Sequence, residues 1–483
     1  HERWGYGYDD YRFFVDRTED RSLAAWHEEA RLRPTFLEFW YRSSPRPIGP
    51  TRRWRWLVAE DDPPLGTAGI ATVRLDSRGR LRTLLRPPPA PDRGAVAWSS
   101  TLASPPADSP AATDWSPLFE AAELAADDFR LLPPQRAPPF FAERLFAWEG
   151  TYAGQAAPLL LVHAATTAGR VVWWQVSERS LFDAAALASP PGRPVLVGLI
   201  GFALVLVVGG WLAYRHRRDG RGDRRGARRL ALTMGGVTLT QWILVADHLP
   251  TTSEFSMINS AIGGAALLAI AVWLLYLALE PYARRRLPRR LTSWTRALAG
   301  EIHDPLVGRD LLLGLTAYAA VLAVAIGTSR LTGELGWDFP HGLRPLLGAR
   351  FVAANVLSIM TLITPLVLMG ILVVVRSVVR SDRWAPLAFF LVLLPIDFAV
   401  NGVSFLGLLT ALCLAVLAAY VGLLALLGFA FVAINLYLVP VSLDPSHWWA
   451  ANSWIGIGAV LALAVWSYRT ATRAGGRRAG EPD

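Results

Sequence analysis

Asp397 stands inside an apolar run, two residues after Pro395, with Asn401 one helical turn further on. A carboxylate at membrane depth is the residue type that proton and solute pathways use. It is costly there unless water, a partner or a substrate meets it. The competing reading places Asp397 within a turn of the interface, where charge costs little. Thr361, Thr364 and Pro365, in the run before it, read as a packed kink. A second constellation is basic: Arg284, Arg285, Arg286, Arg289 and Arg290, with Trp294 close behind. Five guanidiniums and an indole suit the anionic headgroup layer of a bilayer, each Arg contributing on the order of 1 kcal/mol. The alternative is a loop that only fixes topology. A third set, Trp40, Tyr41 and Arg42, is a candidate lining for an external ligand groove, with Trp173 and Trp174 beside it. Sheet packing is the competing role for the same residues.

Other chemistries lack their residues. The eight histidines are scattered, without an HExxH pair or a His/carboxylate cluster at ligand spacing. The pair Asp247–His248 is the nearest approach to a metal site, and no cofactor is expected. No GxSxG elbow is present. The single cysteine, Cys413, falls in an apolar run, which excludes an intrachain disulfide and a Cys-based zinc site. The chain contains no lysine, so all 48 basic residues are Arg.

The elements that hold these residues follow from a break in composition near Arg193. Residues 1–192 carry 22 Arg against 24 acids, and residues 193–483 carry 26 Arg against 15. The second part contains long apolar runs, among them 195–214, 258–279, 352–375 and 405–439, separated by arginine clusters. A bilayer core of about 30 Å needs roughly 20 apolar helical residues to cross it. The basic excess sits in short segments beside these runs, where the positive-inside rule explains it without nucleic acid. Eight Arg between Arg215 and Arg229, and seven between Glu280 and Arg309, predict cytoplasmic loops. Residues 1–190 then lie on the extracytoplasmic side.

Arg469, Arg473, Arg477 and Arg478 predict a cytoplasmic tail over 471–483, so the crossings must be odd in number. The expected spans are about 195–214, 230–246, 258–279, 311–327, 351–375, 385–401, 403–419, 421–439 and 452–468. A single tilted helix over 405–439 is the alternative, at the cost of turning the tail outward. The predicted architecture is an α-helical polytopic bundle of about nine transmembrane helices over 191–470, in a bacterial inner membrane. A small α+β extracytoplasmic domain with an antiparallel sheet precedes it. In that domain the pattern predicts a helix over 23–32, a strand over 54–58 and hairpins 70–75/81–85 and 159–165/171–176. It also predicts a helix from Asp114 to about Ala125 and Pro- and Ala-rich linkers over 87–113 and 133–139.

Several phrases resemble the region that follows the catalytic domain in large membrane-bound serine/threonine protein kinases typical of acidobacteria. They are FWYRSSPRP (39–47), DDPPLGTAGIATVRLDSRGRL (61–81), DWSPLFEAAEL (114–124), AWEGT (147–151) and the stretch EPYARRRLPRRLTSWTRALAGEIHDPLVGRDLLLG (280–314). The resemblance implies a cytoplasmic kinase domain upstream of His1, an external sensor domain and a multispan anchor. Opening on His1 rather than Met fits a piece of a longer protein. The kinase parts themselves are missing here: no strand lysine, no HRD…N loop, no DFG. IHDPLVGRD at 302–310 lacks the metal-binding Asn. The expected function is signal coupling from an unidentified external ligand to that kinase, with anionic headgroups as partners of the basic loops. The alternative is a transporter or permease using Asp397 and Asn401.

Overall fold

The computed structural model describes residues 1–8, 37–52, 56–88, 113–152, 159–179, 207, 209–216, 218, 222–332, 347–358, 360–379, 381, 383–401, 405–437, 442 and 444–473. The expected helix over 23–32, most of the 87–113 linker, most of the first span over 195–214 and the end of the tail lie outside them. The chain divides into two compact units. One comprises His1–Pro190 with Asp247–Phe255, the other Pro191–Ala246 with Ser256–Asp483.

The first unit is built on one antiparallel sheet. Its strands are β1 (Glu2–Tyr8), β2 (Leu37–Ser43), β3 (Ala71–Asp76), β4 (Leu81–Leu85), β5 (Arg130–Leu132), β6 (Arg144–Gly150), β7 (Leu160–Thr167) and β8 (Arg170–Glu178). The order β1-β2-β3-β4-β8-β7-β6-β5 joins two four-stranded meanders through the β4–β8 pair, where Leu84 faces Trp174. The expected antiparallel sheet is present and has eight strands, more than the two expected hairpins supply. Both expected hairpins form. Gly79 at φ +83° closes one, and Ala168 and Gly169 at φ +50° and +73° close the other with the twist hairpins favour.

Period-two alternation divides the apolar side chains between the faces of the sheet. Trp174, Val162 and Leu160 pack with Phe119 and Ala122 from α1 (Ser116–Ala121) and its C-terminal end, while Trp173, Ala165 and Leu85 belong to a second cluster. The N-cap position falls on Trp115, which makes no side-chain cap bond, so the expected Asp114 cap is displaced by one residue; the Asp114 carboxylate instead accepts from the Ser116 N–H at 2.9 Å just outside the helix. The helix stops at Ala121, short of the expected 125, and Glu123 takes a left-handed φ of +48° just beyond it. Residues 56–58 form no strand, and residues 54–55 of the expected 54–58 strand lie outside the described residues.

The second unit is helical: α2 (Arg224–Val245), α3 (Ser253–Arg286, whose first turn belongs to the first unit), α4 (Thr292–Ala299), α5 (Pro305–Thr332), α6 (Ala349–Val356), α7 (Met360–Val378), α8 (Ala385–Asn401), α9 (Phe405–Val416), α10 (Leu423–Tyr437) and α11 (Ala450–Thr472). Among the described residues, four stretches are long and apolar enough to cross a membrane: Ser253–Arg286, Pro305–Thr328, Ala349–Val378 and Ala450–Thr472. The third of these is interrupted between α6 and α7. These helices mark a membrane-spanning protein, but they do not carry the count of nine crossings. Among the described residues the apolar helices α8, α9 and α10 run 17, 12 and 15 residues, and α2 opens on RRGARR. A single helix over 405–439 is ruled out. A π-helical turn at Leu417–Val421 ends at Gly422, whose φ of +136° breaks the helix.

Backbone proximity holds the bundle together. A Cβ on Gly314 of α5 would lie 1.9 Å from the Ala425 carbonyl oxygen of α10, and one on Gly428 2.5 Å from the Leu311 oxygen. Small residues at such crossings let helices meet backbone to backbone, which is how helices associate in lipid. Gly308 gives α5 the same approach to α11 at Ser467 and Ala471.

Candidate functional site

The segment Asp247–Phe255 lies between α2 and α3 in sequence and packs into the first unit. Its backbone and side chain both hold it there. The Asp247 N–H donates to the Trp56 carbonyl at 2.9 Å, and the Val58 N–H donates to Asp247 Oδ2 at 3.0 Å. Arg3 Nε of β1 stands 3.6 Å from the other carboxylate oxygen. The carboxylate is almost fully buried, so these partners are what keep its charge tolerable there. Leu249 fills the space beside Gly49, where a Cβ would meet it at 2.0 Å. His248 turns the other way: its Nδ1 stands 2.7 Å from Glu254 Oε1, while Glu254 Oε2 accepts from the Leu249 N–H at 2.9 Å. The sequence pair Asp247–His248 therefore diverges in space, which corrects its reading as a joint metal candidate.

At the far end of α3 a second set of residues gathers. Pro281 sits inside the helix and cannot donate to the Leu277 carbonyl one turn back. His216 Nδ1 takes that place at 3.1 Å, and the His216 ring lies 5.1 Å from that of Tyr282. A buried carbonyl freed by proline is thus supplied with a donor from another segment. Glu280 is buried and pairs with Arg284 at 2.6 Å. Its second oxygen accepts from the Asp223 N–H at 3.3 Å, and Asp223 caps α2 through the Gly226 N–H at 2.9 Å. Beyond α3 a short 3₁₀ turn (Pro288–Arg290) brings the Arg290 carbonyl against Gly422, where a Cβ would lie 2.1 Å away. Arg296 of α4 pairs with Asp304, which also accepts from the Leu306 N–H at 2.8 Å at the start of α5. Asp304 of the IHDPLVGRD string is thus a helix cap.

The sequence candidates separate accordingly. Arg284, Arg285, Arg286 and Arg289 are exposed. Arg290 is half-buried, and burial together with the nearby Arg376 pulls its pKa down. Trp294 is a correction: it is buried among Tyr276, Leu287 and Leu291, a core residue and not an interfacial anchor. Trp40 and Arg42 take the sheet-packing role and not the groove role. Both point inward from β2, Trp40 against Ile48, Val58 and Ile70, and Tyr41 takes the opposite face. The Arg42 guanidinium donates to the Ala59 carbonyl at 3.1 Å, and burial pushes its pKa down to about 10. The three do not form a groove. Trp173 and Trp174 are core residues of opposite faces. Asp397 and Asn401 fall in the last turns of α8, and their side chains lie outside the described residues.

The sequence reading missed the burial of Asp247 and the role of His216. A proline four residues after a carbonyl in an apolar helix was the available signal for the second. Compared with protein-family models, with curated proteins and with solved structures, the chain matches none.

Proposed function

We propose that this chain is the sensor and membrane-anchoring region of a bacterial transmembrane serine/threonine protein kinase. In this reading the sheet unit lies outside the inner membrane and the basic clusters inside, with about nine crossings between them. A signal received outside shifts helix packing and so acts on a cytoplasmic kinase domain. The resemblance of 280–314 and of four phrases in the N-terminal unit supports the family, and the arginine distribution supports the sidedness.

One observation carries the coupling. The connection between α2 and α3 is hydrogen-bonded into the sheet unit at Trp56 and Val58 through Asp247. From there α3 runs 34 residues, about 50 Å at 1.5 Å per residue, to Arg284–Arg286. In this reading α3 is the element that conveys the external signal to the basic end. The transporter alternative rests on Asp397 and Asn401 alone.

The test uses the full reading frame that contains this chain, expressed in membranes and supplied with labelled ATP. The expected result is phosphate on serine or threonine, changed several-fold by Asp247→Ala while insertion stays the same. A reading frame without a kinase domain, or phosphorylation indifferent to Asp247→Ala, contradicts the proposal.

A further inference from the structure

The arginines at the ends of the helices are not equivalent. Arg284 is paired with Glu280, Arg296 with Asp304 and Arg309 with Asp310. Arg469 and Arg473, one turn apart near the end of α11, have no carboxylate partner among the described residues. They close one end of a groove of about 440 Å³ whose remaining lining is Leu461, Ala462, Val465, Trp466 and Thr470. All seven lining residues lie along α11 and its C-terminal cap, so the groove is an open trough on one helix face, with Leu461, Ala462, Val465, Arg469 and Arg473 exposed. The lining is graded along the helix: an aliphatic ladder at Leu461, Ala462 and Val465, then an indole, then two guanidiniums. His303 extends the polar end. Its ring lies 6.2 Å from that of Trp466, and its Nδ1 3.4 Å from Arg473 Nη1. Gly308 places it there, because the close approach of α5 to Ser467 and Ala471 sets the loop before α5 beside α11.

We infer that this groove binds one anionic glycerophospholipid. An acyl chain lies along Leu461, Ala462 and Val465, and the phosphodiester sits between Arg469 and Arg473. Charge complementarity selects the occupant. Two guanidiniums without a carboxylate partner among the described residues, beside an apolar trough in a membrane-spanning helix, call for a molecule anionic at one end and aliphatic at the other. A free phosphate would use the arginines and leave the trough open to lipid. The inference rests on the bilayer setting and is independent of kinase coupling. The same arginines also complement the carbonyl end of α11, so a capping role is the rival the experiment must separate.

The experiment takes the full chain in neutral detergent. Retention of phosphatidylglycerol and of phosphatidylcholine with matched chains is read by native mass spectrometry, and inorganic phosphate is added as competitor. The expected result is selective retention of phosphatidylglycerol, weakened about five-fold for each arginine removed in Arg469→Gln and Arg473→Gln. Ala462→Trp, which fills the aliphatic end and leaves both charges, weakens it as well. Equal retention of the two lipids overturns the inference. So does displacement by millimolar phosphate, or an arginine double variant that melts earlier yet holds phosphatidylglycerol unchanged.

Discussion

His163 shows how one side chain ties the first unit to acidity. It lies in β7, almost fully buried and stacked at 5.8 Å on Trp173, and desolvation, aided by Arg136, pushes its pKa down to about 4. The fold therefore favours the neutral ring. Its contribution is complete above the unfolded pKa of 6.5 and is lost as pH falls through about 4. Unfolding of this unit, followed by hydrogen exchange along β7, is expected to become easier on acidification across that window, on the order of 3 kcal/mol. His163→Phe, which keeps the stack and removes the titration, is expected to flatten the profile; an unchanged profile would place the acid sensitivity elsewhere. At this scale the sequence was a poor guide. For Trp40 and Arg42 the sequence offered both a groove lining and sheet packing, because residue type does not tell which face of a strand meets the core. Trp294 read as an interfacial anchor for the same reason: a tryptophan after an arginine cluster suits a headgroup layer and a helix core equally well.

At the scale of elements, glycine positions decide more than apolar length. Gly314→Ala is expected to force α5 and α10 apart and to cost about 1–3 kcal/mol in the thermal stability of the detergent-purified protein. Gly327→Ala, on the same helix with nothing within 4 Å, is the control and is expected to change little. Equal melting of the two variants would show that the α5–α10 approach is not tight. The hairpins were legible because turn chemistry is local: DSRGR and AG contain the residues that tolerate positive φ. Strand β1 was not: Trp4, Tyr6 and Tyr8 alternate, but Gly5 and Gly7 between them lower strand propensity, and Gly5 is required by the Trp40 indole lying 2.6 Å from where its Cβ would be. The break at Gly422 was legible from a glycine within a long apolar run. The break between α6 and α7 was not, since apolar composition is continuous across it.

For the whole molecule, composition reveals the division into a mixed N-terminal part and an apolar remainder, since bilayer-length apolar runs are a global property. Composition does not reveal that Asp247–Phe255 packs with the N-terminal part, because that depends on hydrogen bonds between residues some 190 positions apart, Val58 and Asp247. The coupling proposed for α3 needs its two ends on opposite sides of a membrane, with the sheet unit outside. The most direct measurement is single-cysteine labelling in intact cells, in a Cys413→Ser background, with a membrane-impermeant maleimide. Arg78→Cys, at the exposed β3–β4 turn, is expected to label in intact cells. Arg285→Cys, at the exposed end of α3, is expected to label only after permeabilisation. Labelling of Arg285→Cys from outside, or of Arg78→Cys only after permeabilisation, would contradict the account.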